Sequence, residues 1–276
     1  MPTNRIWKSC LLTLMAAAMC APAMSQAKEP SRKKGCCVVV GKNGKWARHT
    51  AALNAKWFYS WGADVPKGLD ADLEFVPMIW GPHKAQESSA LTLLAQQAKQ
   101  GQVKSLMGFN EPDQANQSNM TVEEAIRLWP KLMETGLPLA SPGCVHPDRQ
   151  WMQEFMKAAD ERGLRVDYVC VHSYGGPNAK ALVERLRRVH EMYGRPIWIT
   201  EFAVGDWQAK TAAENKHSPQ KVAEFMRELL PMLEELDFVD RYAWFSASTK
   251  SAALGTSALF NEDGSLTELG QIYSEF

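Results

Sequence analysis

Eight short apolar runs, separated by amphipathic stretches, constrain the fold of this chain more than any other feature. They are Cys37–Val40, Trp57–Trp61, Phe75–Trp80, Leu106–Asn110, Leu137–Ser141, Tyr168–His172, Ile197–Glu201 and Tyr242–Ser246. Several are apolar almost without interruption, as in strands covered on both faces, and parallel sheets bury their strands in that way. The stretches between them carry helix signals. Thr121-Val122-Glu123-Glu124 is a capping-box pattern that opens a helix ending near Gly136. Ser218-Pro219 supplies an N-cap and a first-turn proline, ahead of an apolar face at Val222, Phe225, Met226, Leu229 and Leu230. Eightfold alternation of this kind predicts an α/β fold, a single (β/α)8 TIM barrel. One unit departs from it: between Trp61 and Phe75 the residues Asp64, Pro66, Gly68 and Asp70 leave too little periodicity for a helix, so an irregular connection is expected in place of the second helix.

The first 27 residues are set apart from the fold. Arg5 and Lys8 precede an apolar run from Cys10 to Met24 that ends in small residues at Ser25-Gln26-Ala27, the pattern of a secretory signal peptide over residues 1–27. Residues 28–35 then form a short polar linker, its basic cluster expected in solvent, and residues 36–276 one catalytic domain. The apolar run is shorter than a membrane span and Pro22 interrupts it, so no membrane association is expected after cleavage. The protein is therefore expected to be secreted or periplasmic. With 31 basic and 31 acidic residues the chain is neutral, which disfavours nucleic acid or another polyanion as partner. Removing the leader leaves Cys36, Cys37, Cys144 and Cys170. Cys170, within an apolar run, is expected to be a small buried hydrophobe, and the vicinal pair Cys36-Cys37 to pack on the first strand.

Motifs for several chemistries are absent. The chain has no H-E-x-x-H, no G-x-S-x-G and no C-x-x-C, and Gly41-Lys42-Asn43-Gly44-Lys45-Trp46 fails as a phosphate loop because Trp46 stands where a hydroxyl would bind magnesium. Carboxylates at strand ends are the sharpest features: Glu111 in Gly108-Phe109-Asn110-Glu111-Pro112-Asp113 and Glu201 in Trp198-Ile199-Thr200-Glu201-Phe202. Strict alternation would turn Glu201, Ile199 and Ile197 inward, and likewise Glu111, Phe109 and Met107. Both acids then converge at the C-terminal rim, where barrels of this kind build their active sites. Paired carboxylates suit glycoside hydrolysis, one protonating the leaving oxygen while the other attacks the anomeric carbon or activates water. Trp61, Trp80, Tyr174 and Trp244 fall at or just beyond strand ends, where flat rings can stack on sugar faces. His172, at the end of the sixth strand, suits a sugar contact or an orienting hydrogen bond. The segment from Ser248 to Asp263 is read either as an edge of the cleft or as packing for the final helix.

These residues carry a family resemblance. Asn110-Glu111-Pro112, followed three strands later by a second glutamate, resembles the large clan of retaining (β/α)8 glycosidases. More narrowly, the chain resembles glycoside hydrolase family 128, the alkali-sensitive-linkage type of β-1,3-glucanases, in ordered blocks from about Lys34 to the C-terminus. These include Trp57-Phe58-Tyr59-Ser60-Trp61, Val76-Pro77-Met78-Ile79-Trp80-Gly81, Val171-His172-Ser173-Tyr174 and Tyr242-Ala243-Trp244-Phe245. The resemblance implies a β-1,3-glucan substrate cleaved by double displacement, with Glu111 as acid/base, Glu201 as nucleophile and Asn110 bonded to the hydroxyl beside the reacting carbon. Trp61, Trp80, His172, Tyr174 and Trp244 are the expected substrate-binding residues, with Tyr174 the expected donor to Glu201. No metal or other cofactor is expected, and the protein is expected to act as a monomer that cleaves its polymer internally, as an endo-acting enzyme. A retaining site requires carboxyl groups about 5–5.5 Å apart and an inverting one about 6.5–9.5 Å. The alternatives are a β-1,3-glucan oligosaccharide-binding or sensing protein with little turnover, and a hydrolase of another β-glycan.

Overall fold

The computed structural model describes residues 31–41 and 44–276; the expected signal peptide and its cleavage point lie outside them. Strands and helices alternate. β1 (Lys34–Cys37) is followed by α1 (Lys45–Ala52), β2 (Trp57–Tyr59), β3 (Glu74–Phe75), α2 (Pro82–Gln86) and α3 (Ser88–Lys99). Next come β4 (Leu106–Met107), α4 (Val122–Met133), β5 (Leu139–Ala140), α5 (Gln150–Glu161), β6 (Val169–Ser173) and α6 (Ala179–Tyr193). The chain closes with β7 (Ile197–Phe202), α7 (Pro219–Glu235), β8 (Val239–Phe245) and α8 (Glu268–Glu275). All strand pairs are parallel. As expected, no helix joins β2 to β3.

Six strands pair in the order β3-β2-β1-β8-β7-β6, and β4 and β5 form a separate pair. Isolated parallel bridges span the gaps, Met78 to Met107 on one side and Ala140 to Tyr168 and Cys144 to Val171 on the other. The strands thus follow barrel order without one continuous closed ladder. Very short β4 and β5 supply too few backbone groups to extend it.

Two apolar layers show which way the strands face. The larger joins helix residues to Cys36, Phe58, Phe75, Leu106, Val169, Val171, Ile197, Ile199, Tyr242 and Trp244. The smaller contains strand residues without helix partners, among them Cys37, Trp57, Tyr59, Met107, Cys170, Trp198 and Ala243, and marks the interior enclosed by the strands. Ile197 and Ile199 therefore face the helices and Trp198 faces inward, the reverse of the expected alternation. Phe109 also packs outward, edge-on against Trp129 of α4.

Helix boundaries follow local chemistry. Thr121 accepts from the Glu124 amide at 3.1 Å and caps α4, while Ser218 accepts from Lys221 at 3.3 Å and caps α7 ahead of Pro219. The chain's beginning differs from its expected form. β1 starts at Lys34, within the segment read as linker, and extends to Cys37 rather than from it. Lys33 donates to the carbonyls of Leu233, Glu234 and Leu236 at the end of α7. Lys34 is fully buried and donates to Tyr273 and Ser274 in the last turn of α8. These cations satisfy carbonyls that a helix end leaves open, which is why they are not in solvent. All four cysteines among the described residues are buried and free, and no described helix is long and apolar enough to cross a membrane.

Candidate active site

A cleft of about 1600 Å³ opens over the C-terminal ends of the strands, with Glu111 and Glu201 in its floor. Neither glutamate arrives by simple strand alternation. In β7, residues Val171 and His172 of β6 pair with Ile199 and Glu201, so Thr200 is an extra residue in the ladder. The same slip recurs against β8, where Ile199 pairs with Tyr242 and Phe202 with Trp244. A bulge of this kind reverses the facing of every later side chain. Ile199 faces the helices, and Glu201 comes to the interior beside His172. Glu111 is re-aimed by its backbone, which has a φ of 42° in the left-handed region. Non-glycine residues in that region are uncommon and concentrate at functional sites. Trp61 shares the conformation, with a φ of 56°.

The two carboxylates meet at His172. One oxygen of Glu111, one of Glu201 and Nδ1 of His172 all lie within 4.8 Å of one another, and all three side chains are buried. His172 Nδ1 stands 2.8 Å from Glu111 Oε1 and 3.6 Å from Glu201 Oε2. Burial alone would lower the imidazole pKa, but the Glu201 charge and the hydrogen bond and charge of Glu111 outweigh it, so the net direction is upward. Gly143 backs the imidazole: a Cβ there would lie 2.7 Å from Nε2. Three donors hold Glu201. The Tyr59 hydroxyl and the Trp61 indole N–H donate to Oε1, each at 2.8 Å, and the Tyr174 hydroxyl donates to Oε2. Burial and the nearby Glu201 charge push both phenols well above their ordinary pKa, so each keeps its proton and remains a donor. Among the described residues, Glu111, His172 and Glu201 are the His, Cys, Asp and Glu side chains close enough together to hold a cation. Their inward atoms are already engaged by the His172–Glu111 contact and the Tyr174 donor.

Asn110 is buried; its Nδ2 donates to Gln117 Oε1 at 3.3 Å while its Oδ1 has no protein partner. Trp61, Trp80 and Tyr174 line the cleft, with Trp80 exposed, whereas His172 is fully buried beneath it and takes the orienting role, bonded to Glu111, rather than a sugar contact. Trp244 does not line the cleft. It is fully buried on the helix side of β8, edge-on to Phe202, and its indole donates to Ser257 at 2.8 Å. Its neighbour Phe245 lines the cleft instead. Ser248, Leu254, Phe260 and Glu262 edge the cleft while Leu259 packs under α8, so the segment after β8 serves both of its expected roles. Tyr59 and Trp207 were not anticipated. A hydroxyl two residues before Trp61, on the same strand face, is the signal for Tyr59. Trp207 lies in a loop where periodicity has nothing to offer.

The arrangement can do the chemistry of acetal cleavage: one carboxyl group linked to an imidazole, a second stripped of water and held by donors, and a groove walled with aromatic rings. The glycosyl hydrolase catalytic core family matches residues 35–273, so the protein is a glycoside hydrolase. A subgroup I endo-β-1,3-glucanase variant from Amycolatopsis mediterranei, solved with laminarihexaose, is 37% identical. The match covers 88% of this chain and 99% of that one, with a TM-score of 0.75. The chain belongs to glycoside hydrolase family 128. A subgroup III curdlan-specific exo-β-1,3-glucanase from Blastomyces gilchristii, solved with glucose, is 26% identical over 90% of this chain and 100% of that one, with a TM-score of 0.69. Alkali-sensitive linkage protein 1 of Schizosaccharomyces pombe is 29% identical over 255 residues, which are 88% of this chain and 44% of the relative. The chain thus spans less than half the length of that curated relative.

Proposed function

We propose that this protein hydrolyses β-1,3-glucan with retention of configuration, Glu201 attacking the anomeric carbon and Glu111 first protonating the leaving oxygen and then activating water. The observation that carries this reading is the approach of one oxygen of each carboxyl group to within 4.8 Å of the other. An inverting enzyme needs about 6.5–9.5 Å between its carboxyl groups to seat a water, whereas direct attack requires the shorter spacing. The donors on Glu201 support its role. Tyr59, Trp61 and Tyr174 fix the carboxylate in place with three hydrogen bonds, which aims its oxygens for attack. His172 gives Glu111 a partner with which to share a proton, consistent with a group that acts as acid and then as base. The unpartnered Oδ1 of Asn110 is an acceptor for the sugar hydroxyl beside the reacting carbon. Trp61, Trp80 and Tyr174 supply ring surface and donors for sugar residues along the cleft.

The substrate follows from the family resemblance and from relatives solved with laminari-oligosaccharides. Internal cleavage fits an open cleft whose lining includes Val39 and His49 after β1, His146 and Arg149 after β5, Asn178 after β6 and Phe260 after β8. A monomer, secreted or periplasmic after removal of residues 1–27, suits a polymeric substrate outside the cytoplasm. The test compares the protein with its Glu201→Ala variant on soluble linear β-1,3-glucan. The wild type releases a range of oligosaccharides whose first-formed reducing ends are β-anomers by NMR, and the variant loses at least a thousandfold in rate. Binding of glucan without product release would establish the sensing alternative, and release from another β-glycan alone would move the substrate assignment.

A further inference from the structure

Trp207 is the most exposed large aromatic side chain on the cleft wall, at 65%, and nothing in the double displacement requires it. Its environment distinguishes it from a stray surface ring. The indole N–H donates to the Tyr174 carbonyl at 3.2 Å, and the ring stands edge-on to Tyr174 with centroids 5.8 Å apart and an interplanar angle of 81°. One edge is thus fixed while the faces stay open to solvent.

The loop beneath it is built to hold that pose. Asp206, 3% exposed, accepts from the amides of Gln208 and Lys216 and from Lys216 Nζ. Its own amide donates to Ala253, and Asn215 Nδ2 donates to both Ala252 and Ala253. The Gly205 amide donates to Gly175 in the loop after β6. The segment carrying Trp207 is therefore tied at both of its ends to the loops after β6 and β8. Exposing a Trp face forgoes burial of one of the largest apolar surfaces a side chain offers, and a fixed ring at a groove wall is the usual means of stacking an apolar sugar face.

We propose that Trp207 is a sugar-stacking platform, one or more units away from the cleavage point, that makes the enzyme prefer longer glucan chains. This rests on the glucanase reading. Tyr174 joins the platform to the reacting centre, since its carbonyl holds Trp207 and its hydroxyl holds Glu201. A chain lying over Trp207 is thereby in register with the nucleophile.

The experiment measures binding of laminaribiose through laminarihexaose by calorimetry, on Glu201→Gln protein with and without Trp207→Ala. The expected result is an affinity that rises with chain length, with Trp207→Ala costing the longer oligosaccharides about three- to tenfold, the shortest far less, and Trp207→Phe recovering part of the loss. An equal loss at every length would overturn the platform, because it would mean that Trp207 only props Tyr174. Length-dependent binding untouched by Trp207→Ala would also overturn it while leaving the glucanase reading intact. Absence of laminari-oligosaccharide binding in both proteins would overturn both readings together.

Discussion

His172 has both glutamates as neighbours, with Asp113 adding a further negative charge nearby, and its pKa is raised despite complete burial. A raised folded-state pKa means that the folded protein binds the proton more tightly than the unfolded chain. The stabilisation is full below about pH 6.5, the ordinary histidine value, and disappears as pH rises through the folded-state pKa. Urea unfolding of the wild type should therefore show stability falling on the alkaline side of neutrality, and His172→Asn should flatten that fall. Parallel pH profiles for the two proteins would show that the imidazole pKa does not differ between the folded and unfolded chain. Much of this centre was legible from the sequence, because charged residues ending apolar strands need a reason to be there. The manner of their arrival was not. A left-handed φ at Glu111 leaves no mark on residue type, since glutamate is not a residue that favours it. Trp244 illustrates the same limit: a ring at a strand end can lie on either face, and only the register of β8 against its neighbours assigns it to the helix layer.

At the scale of elements, the β7 bulge at Thr200 decides the site. Parallel strands covered on both sides are apolar at every position, so Ile197, Trp198 and Ile199 give no alternating pattern from which to read their facing. Caps carry sharper local chemistry, and the starts of α4 and α7 were readable to the residue. The basic segment that leads into β1 does not read as structured in the sequence, because helix carbonyls more than two hundred positions away are the partners of Lys33 and Lys34. Replacing Lys34 with Met leaves the Tyr273 and Ser274 carbonyls without this donor, and a loss of about 1–3 kcal/mol is expected in denaturant titrations near neutral pH. Burial lowers the Lys34 pKa to about 8. Between about pH 8 and 10.5 the unfolded chain holds more of this proton than the folded one, so the Lys34 contribution to stability rises with pH across that window. The Met variant should lack that rise, and an unchanged slope would remove Lys34 as its source.

At the scale of the whole molecule, packing rather than disulfide links holds the described residues together. Cys36, Cys37, Cys144 and Cys170 are free and buried, and burial pushes the thiols of Cys36 and Cys170 up to about 12. Thiolates are the reactive form, so labelling of the chain without residues 1–27 should be slow in buffer and rapid in denaturant. Its melting temperature should not change with reductant, and a shift on reduction would reveal a disulfide. The clasp between the first strand and the last helix has a further consequence. Lys34 bonds Tyr273 across 239 positions, and the Tyr273 hydroxyl donates to Gly35 while accepting from the Trp244 amide. During synthesis at about 5–20 residues per second, β1 waits roughly 10–50 s for these partners to leave the ribosome. Its edge toward β8 stays unpaired until β8 emerges, so a nascent chain halted before β8 is the form of this protein most exposed to aggregation and most dependent on a chaperone.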